Sequence, residues 1–192
     1  MPMLGIMASA ISGNLWAPAG AYDSIATYTV PTASTTTTIT FNNIPSTYAH
    51  LQVRVWGYND SGSDRSLEYK FNNDASAIYA NHYLLGSGAT VTAGAATAAN
   101  YCYSFDAASR QRGFNGDSTK ASVFIIDVLD YTNTNKYKTV RALGGWDGNG
   151  TGYIGLASNL WQSTAAISRL DFTMPYASSY SANTIISLYG VK

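Results

Sequence analysis

Hydrophobic and polar positions alternate along most of this chain. Leu51, Val53 and Val55 interleave with Gln52, Arg54 and Trp56; Leu67, Tyr69 and Phe71 with Glu68 and Lys70; Leu170, Phe172 and Met174 with Asp171 and Thr173. A period of two puts every second side chain on one face of a strand, so these segments predict half-buried β-strands. The run 123–129 is apolar through Phe124, Ile125, Ile126 and Val128. It predicts a central strand covered on both faces. Further strands are expected over 24–30, 36–41, 78–85, 135–143, 152–160 and 184–191. Roughly ten strands separated by turn signals are the pattern of a β-sandwich or barrel. No helical period is sustained over ten residues, and only 160–167 is compatible with a helical turn.

The breaks between strands carry turn chemistry. Pro45 forces Ile44 to be extended within Asn42-Asn43-Ile44-Pro45-Ser46, and 59–64, 71–74 and 146–152 are Asn, Asp and Gly clusters. Residues 86–99 are nearly all Gly, Ala, Ser and Thr, which predicts a long flexible loop or a small-residue contact. With no internal repeat and no composition boundary, the expected fold is all-β: one antiparallel β-sandwich over 23–192 with jelly-roll-like connections. An extended N-terminal arm over 1–22 precedes it. Met1 to Ala21 holds no charged residue, while Leu4, Ile6, Met7, Ile11, Leu15 and Trp16 are apolar. The functional reading of that arm is insertion into a partner; the alternative is a frayed or locally packed end. The run 183–192 is likewise an apolar strand, which frays unless a sheet or a neighbouring subunit holds it. Ala8-Ser9-Ala10 imitates a leader-cleavage site, but the first basic residue is Arg54, so no secretory leader is expected. No apolar segment approaches membrane-spanning length, and no membrane insertion is expected.

Charge sharpens the picture. The 192 residues hold 11 basic and 11 acidic side chains, and 11% are charged against a usual figure of about 25%. A neutral chain without a basic run is a poor match for nucleic-acid backbones or anionic membranes. Its surface is wetted instead by Ser, Thr, Asn, Gly and tyrosine hydroxyls, and little charge repulsion keeps copies apart. The single cysteine, Cys102, excludes an intramolecular disulfide and lies between Tyr101 and Tyr103, as a half-buried strand residue would.

Candidate chemistry is sparse. The two histidines, His50 and His82, fall in strands, and no Gly-x-Ser-x-Gly elbow supports a serine nucleophile. Asp127 and Asp130 lie where a glycosidase places its carboxylates, but their odd spacing sends them to opposite faces, and turn-capping explains Asp130 better. Asp147-Gly148-Asn149-Gly150-Thr151 offers oxygens at alternate positions without the terminal glutamate of a calcium loop. No catalytic, cofactor or metal site is therefore expected. Aromatics remain: Tyr101, Tyr103, Tyr176, Tyr180, Trp146 and Trp161, which either pack in the core or stack on sugars and subunits. Tyr176 and Tyr180 stand in the polar loop 176–180, and with Trp146 they are the candidate glycan or partner contacts.

Taken in order, several segments resemble a group of small tailed-bacteriophage virion proteins. They are the start Leu4-Gly5-Ile6-Met7-Ala8-Ser9; Ile25-Ala26-Thr27; Ile39-Thr40-Phe41-Asn42-Asn43-Ile44-Pro45-Ser46-Thr47-Tyr48; and Leu51-Gln52-Val53-Arg54. The series continues with Asp127-Val128-Leu129-Asp130-Tyr131, Lys136, Lys138-Thr139-Val140-Arg141, Leu160-Trp161 and Leu188-Tyr189-Gly190-Val191-Lys192. The resemblance spans nearly the whole chain and brings no catalytic residue. It implies a non-enzymatic virion component made in the host cytoplasm: a tail-fibre, tail-tip or adsorption-apparatus subunit, or alternatively a capsid decoration protein. Partners implied are other virion proteins, further copies of the chain, with a trimer favoured, and a host surface glycan. A carbohydrate-binding module is the competing class, and an enzyme the least supported.

Overall fold

The computed structural model describes residues 20–32, 35–105 and 112–192. Among them the chain forms twelve strands and no α-helix: β1 (Tyr22–Thr29), β2 (Thr38–Phe41), β3 (His50–Gly57), β4 (Glu68–Phe71), β5 (Tyr79–Ser87) and β6 (Thr90–Ala99) come first. They are followed by β7 (Cys102–Tyr103), β8 (Ser122–Val128), β9 (Lys138–Asp147), β10 (Gly152–Trp161), β11 (Leu170–Thr173) and β12 (Ile185–Val191). All pairings are antiparallel, in a large sheet ordered β1-β12-β3-β8-β9-β10-β5-β6 and a small sheet ordered β2-β11-β4-β7.

The pairing is nested. β1 pairs with β12, β2 with β11, β3 with β8 and β4 with β7, which is what results when a long hairpin is rolled into two facing sheets. This is the jelly roll that the turn pattern suggested. Two inserted hairpins, β5–β6 and β9–β10, widen the large sheet from four strands to eight.

Alternation builds the core. Leu51, Val53 and Val55, Phe124, Ile126 and Val128, and Ile186 and Leu188 point from the large sheet towards Ile39, Phe41, Tyr69, Phe71 and Phe172 of the small one. Each buried aliphatic or aromatic side chain contributes about 1.5–3 kcal/mol. Phe71 and Trp161 lie 5.4 Å apart by ring centroid, and Tyr79 stacks on Trp161 at 6.4 Å. The buried Asp171 is matched: its carboxylate accepts Thr40 Oγ1 at 2.6 Å and two Arg169 nitrogens at 2.7–2.9 Å.

Four expectations change. The small-residue stretch 86–99 is no loop: after the turn at Gly88 it returns as edge strand β6, and the absence of a side chain at Gly94 lets the Tyr83 ring lie against it. A Cβ there would stand 2.7 Å from that ring. No helical turn forms over 160–167, because β10 continues through Trp161 and an irregular connection follows. Strand β8 is covered on one face only, leaving Val123 and Ile125 exposed. The apolar closing strand needs no neighbouring subunit, since β12 lies inside its own sheet between β1 and β3. The proposed arm residues Leu4, Ile6, Met7, Ile11, Leu15 and Trp16 lie outside the described residues.

Candidate functional site

Antiparallel rolling gives the sandwich two unlike ends. At one end lie the short turns after β2 and β8, together with the start of β1 and the finish of β12, where Lys192 Nζ meets Asp23 at 2.7 Å. Here Tyr131, fully buried, donates its hydroxyl to the Pro45 carbonyl. His50 Nδ1 accepts the Asp130 backbone N–H at 2.9 Å, which clamps the turn. Asp130 holds a left-handed turn position (φ 48°) and pairs with Lys136 at 2.6 Å. That lysine draws the Asp130 carboxyl below the usual range. Lys138 is buried and its ammonium donates to the carbonyls of Asn133, Lys136 and Thr164 at 2.6–3.1 Å. The Tyr48 ring lies directly on Gly190, leaving no room for a Cβ. Asp127, facing the other way from the Asp130 turn, accepts Gln52 Nε2 at 2.9 Å and lies 3.7 Å from Arg141. The two carboxylates are not brought together.

The other end carries the β1–β2 connection and the longer β3–β4, β7–β8 and β11–β12 connections, with the β5–β6 and β9–β10 turns beside them. Between these loops runs a polar trough of about 490 Å³, whose lining includes Asp64, Asn115, Asp117, Lys120, Trp146 and Tyr153. Trp146 and Tyr153 meet edge to face at 5.8 Å, and Lys120 Nζ stands 6.0 Å from the indole centroid. Lys120 also pairs with Asp117 at 2.7 Å and, with the Thr119 N–H, holds that carboxyl far below its ordinary range. Asp64 behaves oppositely. Burial pushes its pKa up, against the pull of the Gly116 N–H, the Trp146 indole, Arg65 and Lys120. The Trp146 Nε1 is itself buried without a well-formed hydrogen bond. Gly116 is required here, because any side chain would overlap the Ser63 backbone.

Of the sequence-derived contacts, Trp146 lines this trough. Tyr176 is exposed, sits in the left-handed region (φ 57°), and lies 5.5 Å beneath the Arg65 guanidinium. Tyr180 is a correction: its ring is fully buried edge-on to Phe114 at 6.0 Å, and its backbone bridges to Asn59. It is core, because polar neighbours in sequence say nothing about a loop's inward corner. Cys102 is fully buried rather than half-buried, and burial pushes its thiol pKa up. The Asp147 carboxylate caps the Asn149 N–H at 2.8 Å as a turn does, and among the described residues no three His, Cys, Asp or Glu side chains converge on a point. Asp64 belongs to the Asn, Asp and Gly cluster 59–64 that the sequence marks, whereas Lys120 and Tyr153 carry no local motif. Tyr153 is the strand partner of Trp146 across the β9–β10 hairpin, and Asp64 and Lys120 arrive from two distant connections.

A third feature lies on the outer face of the large sheet. One row across the strands reads Trp56, Val123, Gly145, Ile154, Gly86, Val91, and the next reads Arg54, Ile125, Leu143, Leu156, Leu84, Ala93. The eight large apolar side chains in these rows are 40–70% exposed. The following row, Gln52, Asp127, Arg141, Ser158 and His82, is polar. A shallow depression of about 650 Å³ runs beside Ile154, floored by Gly86, Gly144 and Gly145.

No family model matches the chain, and no curated protein matches it. Among solved structures, the chain is similar to the galectin LEC-6 of Caenorhabditis elegans at 8% identity, over 86% of this chain and 95% of that one, with a TM-score of 0.33.

Proposed function

We propose that this chain is a non-enzymatic structural subunit of a tailed-phage virion, placed in the adsorption apparatus as a tail-fibre or tail-tip component. One observation carries the reading: the two ends of the sandwich divide the labour. The segments that resemble phage virion proteins gather at the turn end, through the contacts of Tyr48 with Gly190, Tyr131 with Pro45 and Asp130 with His50 and Lys136. Ala21, whose carbonyl accepts the Lys192 N–H at 3.2 Å, lies at that same end. The turn end is then the attachment end, with Leu4, Ile6, Met7, Ile11, Leu15 and Trp16 as the arm that enters a neighbour. The loop end, with its trough and exposed Tyr176, faces outward. Jelly rolls serve both capsid and lectin domains, so the fold is compatible with this role and with capsid decoration by analogy alone.

Deleting residues 1–17 tests the arm. Loss of incorporation into particles is the expected result, and full incorporation rejects it. A host-glycan contact is the second reading, favoured by the trough, where a partly exposed indole stands among carboxylate, amide and ammonium groups, as sugar recognition requires. Binding on a glycan array that disappears with Trp146→Ala supports it; an array without binding removes it.

A further inference from the structure

The outer face of the large sheet is apolar where a sheet facing water alternates to polar side chains. Its exposed apolar side chains present on the order of 800 Å², beyond the roughly 300–600 Å² of the largest patch on a typical monomer. That is about one partner's share of a standard protein interface. We infer that this face is a homotypic interface, covered by the same face of a second copy of the chain. The inference rests on the structural-subunit reading above and gives that subunit its lateral contact.

Two properties single out a second copy. First, the face is uncharged over both apolar rows except at Arg54 on their margin, so it does not complement a charged partner; an uncharged surface matches another like itself. Second, the relief is self-complementary. In the outermost row Ile154 stands between two hollows, at Gly145 and Gly86. A two-fold axis through such a row places the Ile154 ridge of one copy in a glycine hollow of the other, at the spacing of about 10 Å that stacked sheets adopt. The polar row of Gln52, Asp127 and Arg141 then forms the rim, as interfaces require. The contact lies along the side of the sandwich and leaves the turn end free; its outermost row borders the loop-end trough, with which the depression shares Trp146 and Tyr153.

Two variants separate the interface from the fold. Leu156→Lys places an ammonium among the exposed leucines. Gly86→Lys fills a hollow, and the structure accepts its Cβ, which meets only Ile154 at 3.5 Å with no left-handed backbone to strain. Sedimentation or mass photometry of the full chain, from about 0.1 to 100 µM, reads the outcome; loss of a buried apolar anchor raises Kd about 30-fold or more. An assembly of copies that either variant disperses, with unchanged circular dichroism and melting, supports the inference. A single-copy mass across the range overturns it, as does an assembly that both variants leave intact. A full chain that is single-copy but associates once residues 1–17 are deleted also overturns it, because the arm then covers the face. Failure of the virion reading looks different: the protein self-associates through this face yet is absent from purified particles.

Discussion

Gly190→Ala probes the turn end, because it asks one contact to account for a motif. Gly190 lies in β12, an interior strand whose backbone accepts an alanine, so the cost comes from the Tyr48 ring that rests on its α-carbon. A Cβ would overlap Cγ and Cδ2 of that ring, and the ring must lift. Overpacking of this kind costs about 1–3 kcal/mol. Removing glycine's extra freedom in the unfolded chain returns about 0.5–1 kcal/mol, so the net loss is on the order of 1–2 kcal/mol. For a domain of this size that lowers Tm by roughly 2–8 °C. Urea denaturation monitored by tryptophan fluorescence and by circular dichroism measures it. Tyr48→Ala combined with Gly190→Ala is the control: with the ring gone only the unfolded-chain gain remains, so the double variant is about 0.5–1 kcal/mol more stable than Tyr48→Ala alone. A Gly190→Ala protein as stable as the parent, or two costs that simply add, refutes the reasoning.

Three further outcomes follow from the structure. Lys138→Met strips three turn carbonyls of their shared donor and costs about 2 kcal/mol or more in chemical denaturation; an unchanged midpoint counts against the clamp. Asp64 has its folded pKa raised above the unfolded value near 3.8, so the folded state holds the proton longer and stability falls as pH rises through that window. Asp64→Asn is therefore more stable than the parent at pH 7, with the gain fading at pH 3; a variant less stable at pH 7 contradicts the burial argument. Cys102 reacts with a thiol reagent only after denaturation, because the thiol is buried and its pKa is raised; rapid labelling of the native protein would place it at the surface.

Much of the fold was legible because strands with one covered face announce themselves. Leu51, Val53 and Val55 alternate with polar partners, and all three are core. Reading failed where alternation failed. Val123 and Ile125 are as apolar as Phe124 and Ile126, so nothing in the local sequence told covered from uncovered faces of β8; only the pairing of β8 with β3 and β9 does. Residues 90–99 hid a strand because small residues carry little β signal, and Tyr83 packing on Gly94 supplies it from outside the segment. The trough was the least legible part. Trp146 and Tyr153 are cross-strand partners in the local β9–β10 hairpin, but Asp64 and Lys120 join them from the β3–β4 and β7–β8 connections, which only the rolled topology brings there.

An electron-microscopy map of the intact particle, with this chain traced in it, tests the proposed role most directly. The account predicts the turn end, with Tyr48, Asp130 and Lys192, directed into the particle, and the loop end, with Trp146 and Tyr176, directed to solvent. A particle without the chain, or a subunit held by its loop end, would contradict it.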